Sequence, residues 1–136
     1  MHRTEDVLAT LSMIRQHKLD VRTVTMGIDL APCSSPDVTV LCDRIRTRLV
    51  HYAGRLRSVC REVEDRYGIP IVNRRIAVSP IGRIAAGQKA EGLLTVARTL
   101  DEVAAEVGVD LVGGFTALVQ KGWTDSERRL IAALPE

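Results

Sequence analysis

The fold is decided by the stretch Gly68-Ile-Pro-Ile-Val-Asn-Arg-Arg-Ile-Ala-Val-Ser-Pro-Ile81, an apolar run that leads into a proline-marked polar turn. Its length and its β-branched residues predict a strand, and a long helical pattern precedes it. A second run, Gly108-Val-Asp-Leu-Val-Gly-Gly114, also follows a helical pattern and also ends in turn-forming residues. The order helix, strand, polar loop is typical of α/β proteins, which place their sites at such loops.

Apolar spacing extends this order along the rest of the chain. Alternation predicts a first strand over 23–30, and the strand over 69–78 is interrupted by Arg74, so we expect it to be buried on most sides. Ser35 is placed to cap the next helix, with Pro36 in its first position. The predicted helices are a short one from Thr4, a long one over 38–67, one over 91–107 and a final one opened by a capping box at Thr124–Glu127.

The predicted order is α-β-α-β-α-β-α, with a third short strand over 110–112 and connections long enough for parallel crossovers. The fold class is therefore α/β with parallel β/α units, either a parallel sheet with helices packed over it or an arc of a β/α barrel. The 136 residues amount to one domain, so 1–136 is expected to form a single α/β segment. An arc would leave strand edges and helix faces uncovered, and we therefore expect self-association.

Composition argues against several classes of protein. A net charge of +2 and an aromatic content of 3% do not favour a nucleic-acid partner. No apolar run approaches the ~20 residues of a membrane span. Three cysteines without a Cys-x-x-Cys pair indicate a reducing compartment, and the N-terminus carries acids where a signal peptide would be basic, so a cytoplasmic location is expected.

Two cationic positions are candidates for binding an anion. Asn73, Arg74 and Arg75 lie inside a predicted strand, where charges are unusual unless they are paired or face a cavity. One arginine must face the less buried side, and the other, Arg75, needs either a carboxylate partner or an anionic ligand. Lys121 lies just beyond an apolar run and could meet a carboxylate or phosphate, although an exposed lysine without a role is the more frequent case.

The other candidates carry weaker signals. Gly113 and Gly114 lack the third glycine of a dinucleotide motif, and two glycines after a strand more often serve an unusual backbone angle or a close approach. Cys33 lies before a helix start, where a thiol pKa can be lowered, but a buried small apolar residue is the commoner case. No histidine has metal-ligand spacing and no Ser-His-Asp arrangement is visible, so no cofactor is predicted.

Three ordered segments together resemble a known family. They are 19–28 with Cys33, 68–76 with Ser79 and Pro80, and 108–122. They are similar to the uncharacterised protein family 0210, also called domain of unknown function 711, whose members are often labelled pyruvate-formate-lyase-like. The resemblance implies a fold related to the glycyl radical enzymes, a large β/α barrel without established activity, of which this chain would be the N-terminal part.

The chain also departs from the family pattern. Asp29 stands where a small hydroxyl residue is usual, Pro32 where an acid is usual, and Arg74 and Thr116 replace similar residues. The change at Pro32 puts in doubt a site built on an acid beside Cys33. The glycine-loop signature that carries the radical and the adjacent cysteine pair of the true enzymes are not seen in the sequence.

Two functions of different classes follow. The first is an enzyme or metabolite-binding barrel whose loop-end residues bind a small anionic molecule: Asn73, Arg75, Ser79, Gly113, Gly114, Gln120 and Lys121, with Cys33 as a possible thiol. The second is a non-catalytic structural or association module, in which these residues serve backbone geometry and packing. Whether the protein is an enzyme is left open by the sequence.

Overall fold

The computed structural model of the protein describes residues 3–16, 22–120 and 122–135. Within them, helices and strands alternate in the predicted way, with a single 3-10 turn at Ala31–Cys33. The elements are α1 Thr4–Arg15, β1 Thr23–Ile28, α2 Val38–Ala53, α3 Leu56–Tyr67, β2 Asn73–Val78, α4 Ile81–Ile84, α5 Ala90–Val107, β3 Leu111–Gly113 and α6 Asp125–Ala133.

The strands form a 3-stranded sheet in the order β1-β2-β3, in which both neighbouring pairs are parallel. The register places Thr25 of β1 beside Arg75 of β2, and Arg75 beside Leu111 of β3. The predicted α/β class with a parallel sheet is therefore confirmed. Sequential order with parallel neighbours requires that each connection cross back over the sheet, and the helices provide these connections.

One face of the sheet carries the hydrophobic core. Alternate residues of the strands, among them Ile28, Ile76 and Val78, are buried against α2, α5 and α6. The largest fully buried side chains of these helices are Leu41, Ile45, Leu49, Leu93, Val96, Val103 and Leu130. A second, smaller cluster joins Leu56 and Cys60 of α3 to Ile71 at the start of β2.

The opposite face of the sheet, here named the open face, consists of Thr23, Thr25, Gly27, Asn73, Arg75, Ala77, Leu111 and Gly113. Thr25, Gly27 and Ala77 are exposed, and Leu111 keeps 52% of its surface accessible. The prediction that the strand over 69–78 is buried on most sides is therefore wrong for the described residues. The alternation of apolar and polar residues along this strand is weak because the open face carries both small and polar residues, although only the core face is covered by described helices.

The long helix predicted over 38–67 is wrong, because the chain breaks at Gly54 and forms α2 and α3. A Cβ at Gly54 would lie 2.6 Å from the carbonyl oxygen of Val50, so an ordinary side chain would crowd the last turn of α2. Apolar residues continue at helical spacing on both sides of the break. Apolar spacing alone therefore does not reveal the break at Gly54.

The start of α2 also differs from the prediction. Asp37, and not Ser35, is the capping residue, and its Oδ1 accepts hydrogen bonds from the amides of Thr39 at 2.8 Å and Val40 at 3.2 Å. Ser35 accepts a bond from the Asp37 amide instead and shapes the preceding turn. The capping box of α6 is confirmed.

Candidate functional site

Arg75 lies on the open face at the centre of the sheet. Its Nε is buried and has no hydrogen-bond partner among the described residues. A buried guanidinium N–H without an acceptor is unfavourable, and most such groups in folded proteins are satisfied. The central strand therefore presents a cation with unused hydrogen-bonding capacity on its uncovered side.

Arg74, on the core face of the same strand, has the carboxylate partner. Its Nε lies 3.2 Å from Asp110 Oδ2, which also accepts the Arg74 amide at 2.7 Å. The hydrogen bond from the Arg74 backbone amide, and then the hydrogen bond from its guanidinium, hold the pKa of Asp110 below its ordinary value. The prediction that Arg75 is the arginine on the more buried side is therefore wrong, because Arg74 lies on the core face and forms the ion pair. Arg75 lies on the open face and has no acid partner among the described residues.

The row next to Arg75 on the open face is made of small residues. Gly27, Ala77 and Gly113 are register partners across the three strands, one step nearer the carboxyl ends than Arg75. A Cβ at Gly27 would meet no atom within 4 Å. Free space therefore lies beside the Arg75 row, on the side where parallel sheets bind ligands.

Ser79 follows the carboxyl end of β2 and links it by hydrogen bonds to the residues that follow β1. Its hydroxyl donates to Asp29 Oδ1 at 2.6 Å and accepts from the Leu30 amide at 3.0 Å, while Asp29 Oδ1 also accepts from the Ala31 amide at 2.9 Å. The Ser79 hydroxyl first, and the Ala31 amide second, hold the pKa of Asp29 below its ordinary value. Sequence reasoning did not single out Asp29 as a site residue, although its place at the end of a predicted strand was a usable signal.

Ser79 and Asp29 line a cleft of about 350 Å³ at this edge of the sheet. Its other lining residues are Ala31, Ser34, Pro80, Arg83 and Ile84. Arg83 also lines a second cleft, of about 660 Å³, which contains Gln120 and Trp123. Ser79 and Gln120 thus come near one shared arginine, while Asn73 and Arg75 lie apart on the open face.

Glu127 is the acid of the second cleft, and it is only 4% exposed. Its carboxylate accepts the amide of Thr124 at 2.9 Å, the hydroxyl of Thr124 at 2.8 Å and the amide of Leu118 at 3.0 Å. The bonds from Thr124 keep the pKa of Glu127 low. These bonds fasten the loop after β3 to α6, which is a structural role.

Gly114 has a backbone reason for its identity. Its φ is +120°, and a Cβ there would lie 2.4 Å from the Val78 carbonyl oxygen. At Gly113 the same added atom would lie 3.9 Å from the Ile76 carbonyl oxygen, an ordinary contact. Gly114 thus lets β3 leave the sheet close to the end of β2. Lys121, the remaining predicted cation, lies outside the described residues.

Cys33 is buried, with 3% of its surface exposed, and burial raises the pKa of its thiol. Cys42 and Cys60 are buried as well, and none of the three forms a disulfide. Within 3–16, 22–120 and 122–135, no three His, Cys, Asp or Glu side chains are grouped so that they could hold a metal ion. In the same ranges no helix combines the length and the apolar character needed to cross a bilayer.

Comparison with known proteins places the chain in a family. Residues 12–136 match the model of a family described as Uncharacterised ACR (DUF711). A UPF0210 protein from Desulfovibrio desulfuricans is 50% identical over 131 residues, which are 96% of this chain and 28% of the relative. A UPF0210 protein from Desulforudis audaxviator is 46% identical over 132 residues, 97% of this chain and 29% of the relative.

A third relative, the UPF0210 protein CPE1497 of Clostridium perfringens, is 44% identical over all 136 residues and is covered to 30% of its length. The chain thus spans less than a third of the length of the relatives it matches. The names of these relatives assign them no reaction or ligand. The chain belongs to the uncharacterised DUF711 family.

Proposed function

We propose that this chain is the N-terminal part of a larger β/α barrel resembling that of the glycyl radical enzymes, and that its open face contributes to a site for a small anionic metabolite. Strands of a β/α barrel are parallel neighbours in sequence order with helices on the outer face, so the order β1-β2-β3 and the described core helices on one face support this proposal. In a barrel the open face becomes the interior, and sites lie towards the carboxyl ends of the strands.

The observation that carries the proposal is the buried, unpartnered Nε of Arg75. Leaving such a donor without an acceptor costs about 1–3 kcal/mol, and more when the group is charged. A carboxylate or phosphate oxygen would supply the acceptor and the opposite charge, since the guanidinium fork suits both anions. The small row of Gly27, Ala77 and Gly113 leaves room for that anion beside Arg75.

The proposal is tested by titrating the protein with acetate, malonate and inorganic phosphate, followed by NMR or calorimetry. Arg75→Gln should weaken the anion that binds best by roughly tenfold or more, the loss of about one charged hydrogen bond. Arg98→Gln is the matched control, because Arg98 is exposed on α5, away from the open face. Equal anion affinity in the wild-type protein and Arg75→Gln would refute the assignment.

Gly27→Ala gives a second test of the same surface. No described atom lies within 4 Å of the added methyl group, so the chain should fold with unchanged or slightly higher stability. The methyl group would occupy space beside Arg75, so the affinity for the anion should fall. Loss of affinity with intact folding supports the open face as the site, whereas unchanged affinity places the anion elsewhere.

A specific observation favours the second candidate, a non-catalytic association module. The apolar side chains of α1 lie exposed, with accessible fractions of 37% for Val7, 60% for Leu8, 43% for Leu11 and 47% for Ile14. Only Thr10 of this helix is buried, and its hydroxyl donates to the Tyr67 carbonyl oxygen. Sedimentation should show association that Leu11→Glu abolishes, and a clean monomer at tens of micromolar would count against this candidate.

A further inference from the structure

The cleft of about 350 Å³ at the carboxyl ends of β1 and β2 holds two opposite charges that are not paired with each other. It does not include Arg75, and it is bounded by the turn after β1 on one side and by α4 on the other. Its volume is at the small end of the range for ligand sites, roughly 300–1,000 Å³. The carboxyl edge of a parallel sheet is where α/β proteins bind small molecules.

Asp29 provides the negative charge in a fixed position. Oδ1 is held by the Ser79 hydroxyl at 2.6 Å and the Ala31 amide at 2.9 Å, so the carboxylate has one orientation. Oδ2 accepts no hydrogen bond from any described residue. The second oxygen therefore remains available to a donor in the cleft.

Arg83 provides the positive charge. It is exposed on α4, and it forms no hydrogen bond or ion pair within the described part of the chain. Its neighbour Glu127 is already engaged by Thr124 and Leu118. The charge of Arg83 contributes, after the hydrogen bonds from Thr124 and Leu118, to the lowered pKa of Glu127. Its guanidinium N–H groups have no acceptor within the described part of the chain and can bind a carboxylate.

A third charge lies beside Asp29 but is already engaged. Arg48 Nε donates to the Asp29 carbonyl oxygen at 2.6 Å, and its guanidinium lies 5.1 Å from the centre of the Tyr52 ring. Arg48 does not line this cleft, but it shares a neighbouring cavity with Asp29 and Tyr52. After the hydrogen bonds from Ser79 and Ala31, its charge also lowers the pKa of Asp29. The charges inside the cleft are therefore one carboxylate and one guanidinium.

We propose that this cleft binds a small aliphatic α-amino acid. Asp29 accepts the α-ammonium group, Arg83 binds the α-carboxylate, and Pro80 and Ile84 contact the side chain. A zwitterion would place an opposite charge next to each of these two side chains inside the cleft, whereas a ligand with a single charge would do so next to only one of them. The small volume and the two apolar residues favour a short aliphatic side chain.

The test is an NMR titration of the protein with L-alanine, compared with two ligands that each carry one of its charges: propionate has only the carboxylate, and ethylamine has only the ammonium group. L-Alanine should shift the amide signals of 29–34 and 79–84, and each half ligand should bind at least about tenfold more weakly, the loss of one charged contact. Absence of shifts with L-alanine at tens of millimolar would overturn the proposal. So would shifts confined to other parts of the chain.

Two variants assign the charges. Asp29→Asn keeps the Oδ1 acceptor for Ser79 and Ala31 but removes the charge, so it should weaken L-alanine about tenfold and leave propionate unchanged. Arg83→Gln removes no hydrogen bond or ion pair within the described chain, and it should weaken L-alanine binding while leaving ethylamine binding unchanged. L-Alanine affinity that neither variant changes would refute the assignment.

Asp65→Asn and Arg98→Gln are the matched controls, because both residues are exposed on helices away from the cleft. They should leave the affinity for L-alanine unchanged. A fall as large as that caused by Asp29→Asn or Arg83→Gln would show that overall charge, and not this cleft, determines binding. Since Arg75 lies outside the cleft, Arg75→Gln should also leave L-alanine binding unchanged, which separates this proposal from the anion site on the open face.

Discussion

Replacing Gly114 by alanine should destabilise the protein severely. Gly114 has φ +120°, a conformation that L residues rarely adopt, and the new Cβ would lie 2.4 Å from the Val78 carbonyl oxygen and 2.6 Å from Val78 Cγ2. The carbonyl belongs to the last residue of the central strand and cannot move freely. Relief would require the Gly114 segment to move away, which would strain the bond from the Ile81 amide to the Gly114 carbonyl oxygen, now 3.0 Å.

The magnitude follows from two costs. An alanine held at this backbone conformation costs of order 1–3 kcal/mol, and forcing an extra methyl group into a packed contact costs about 1–3 kcal/mol more. We therefore expect a loss of about 2–6 kcal/mol, against a total stability of about 5–15 kcal/mol for a domain. The variant should unfold at much lower urea concentration and be poorly populated as a folded chain.

Urea unfolding followed by circular dichroism measures this loss, and two other glycines serve as controls. Gly113→Ala places its Cβ 3.9 Å from the nearest carbonyl oxygen, so its stability should stay within about 0.5 kcal/mol of the wild-type value. Gly122→Ala has φ +114° but meets no atom within 4 Å, so it should show only the conformational cost. A Gly114→Ala variant as stable as Gly113→Ala would refute the reasoning.

Three further outcomes are expected. Asp37→Ala should lower the free energy of unfolding by about 0.5–2 kcal/mol, and a smaller effect than that of Ser35→Ala in urea unfolding would contradict Asp37 as the cap. Because folding lowers the pKa of Glu127, the ionised carboxylate contributes stability above the ordinary glutamate pKa, and this stability is lost as pH falls through the folded-state pKa. In acid unfolding, the free energy of unfolding of Glu127→Gln should therefore lack this part of the pH dependence. Cys33 and Cys60, whose pKa values burial raises, should react with iodoacetamide at least about tenfold more slowly in the folded than in the unfolded protein, and rapid native labelling would contradict their burial.

The types of the helices and strands and their order could be predicted from the sequence because the apolar spacing within each segment indicates its secondary structure. The strand over 23–30 and the helix over 91–107 have one apolar face each, and they appear as β1 and α5. Spacing failed at Gly54, because α2 and α3 carry apolar residues in nearly continuous phase and only the tertiary turn distinguishes them from one helix. Sequence reasoning also failed for the cap of α2, because Ser35 and Asp37 are both favoured capping residues and the geometry of the turn decides between them.

The candidate site was less predictable, because partners distant in sequence decide it. Arg74 and Arg75 are adjacent and chemically identical, and only the position of Asp110 shows which one is paired. Likewise, the role of Asp29 depends on Ser79, which lies 50 residues further along the chain. A single sequence without pairing information leaves both assignments open.

The small row on the open face adds an argument that neither composition nor packing supplies alone. A glycine in the interior of a strand destabilises it by roughly 0.5–1 kcal/mol relative to alanine, so its presence normally reflects a clash or an unusual backbone angle. At Gly27 neither reason applies, because an added Cβ would meet nothing within 4 Å and φ is not in the left-handed region. Nothing within the described residues therefore requires glycine at this position. The proposed anion beside Arg75, or a further part of the proposed barrel, would give a reason for the small residue and would also supply an acceptor for the buried Nε.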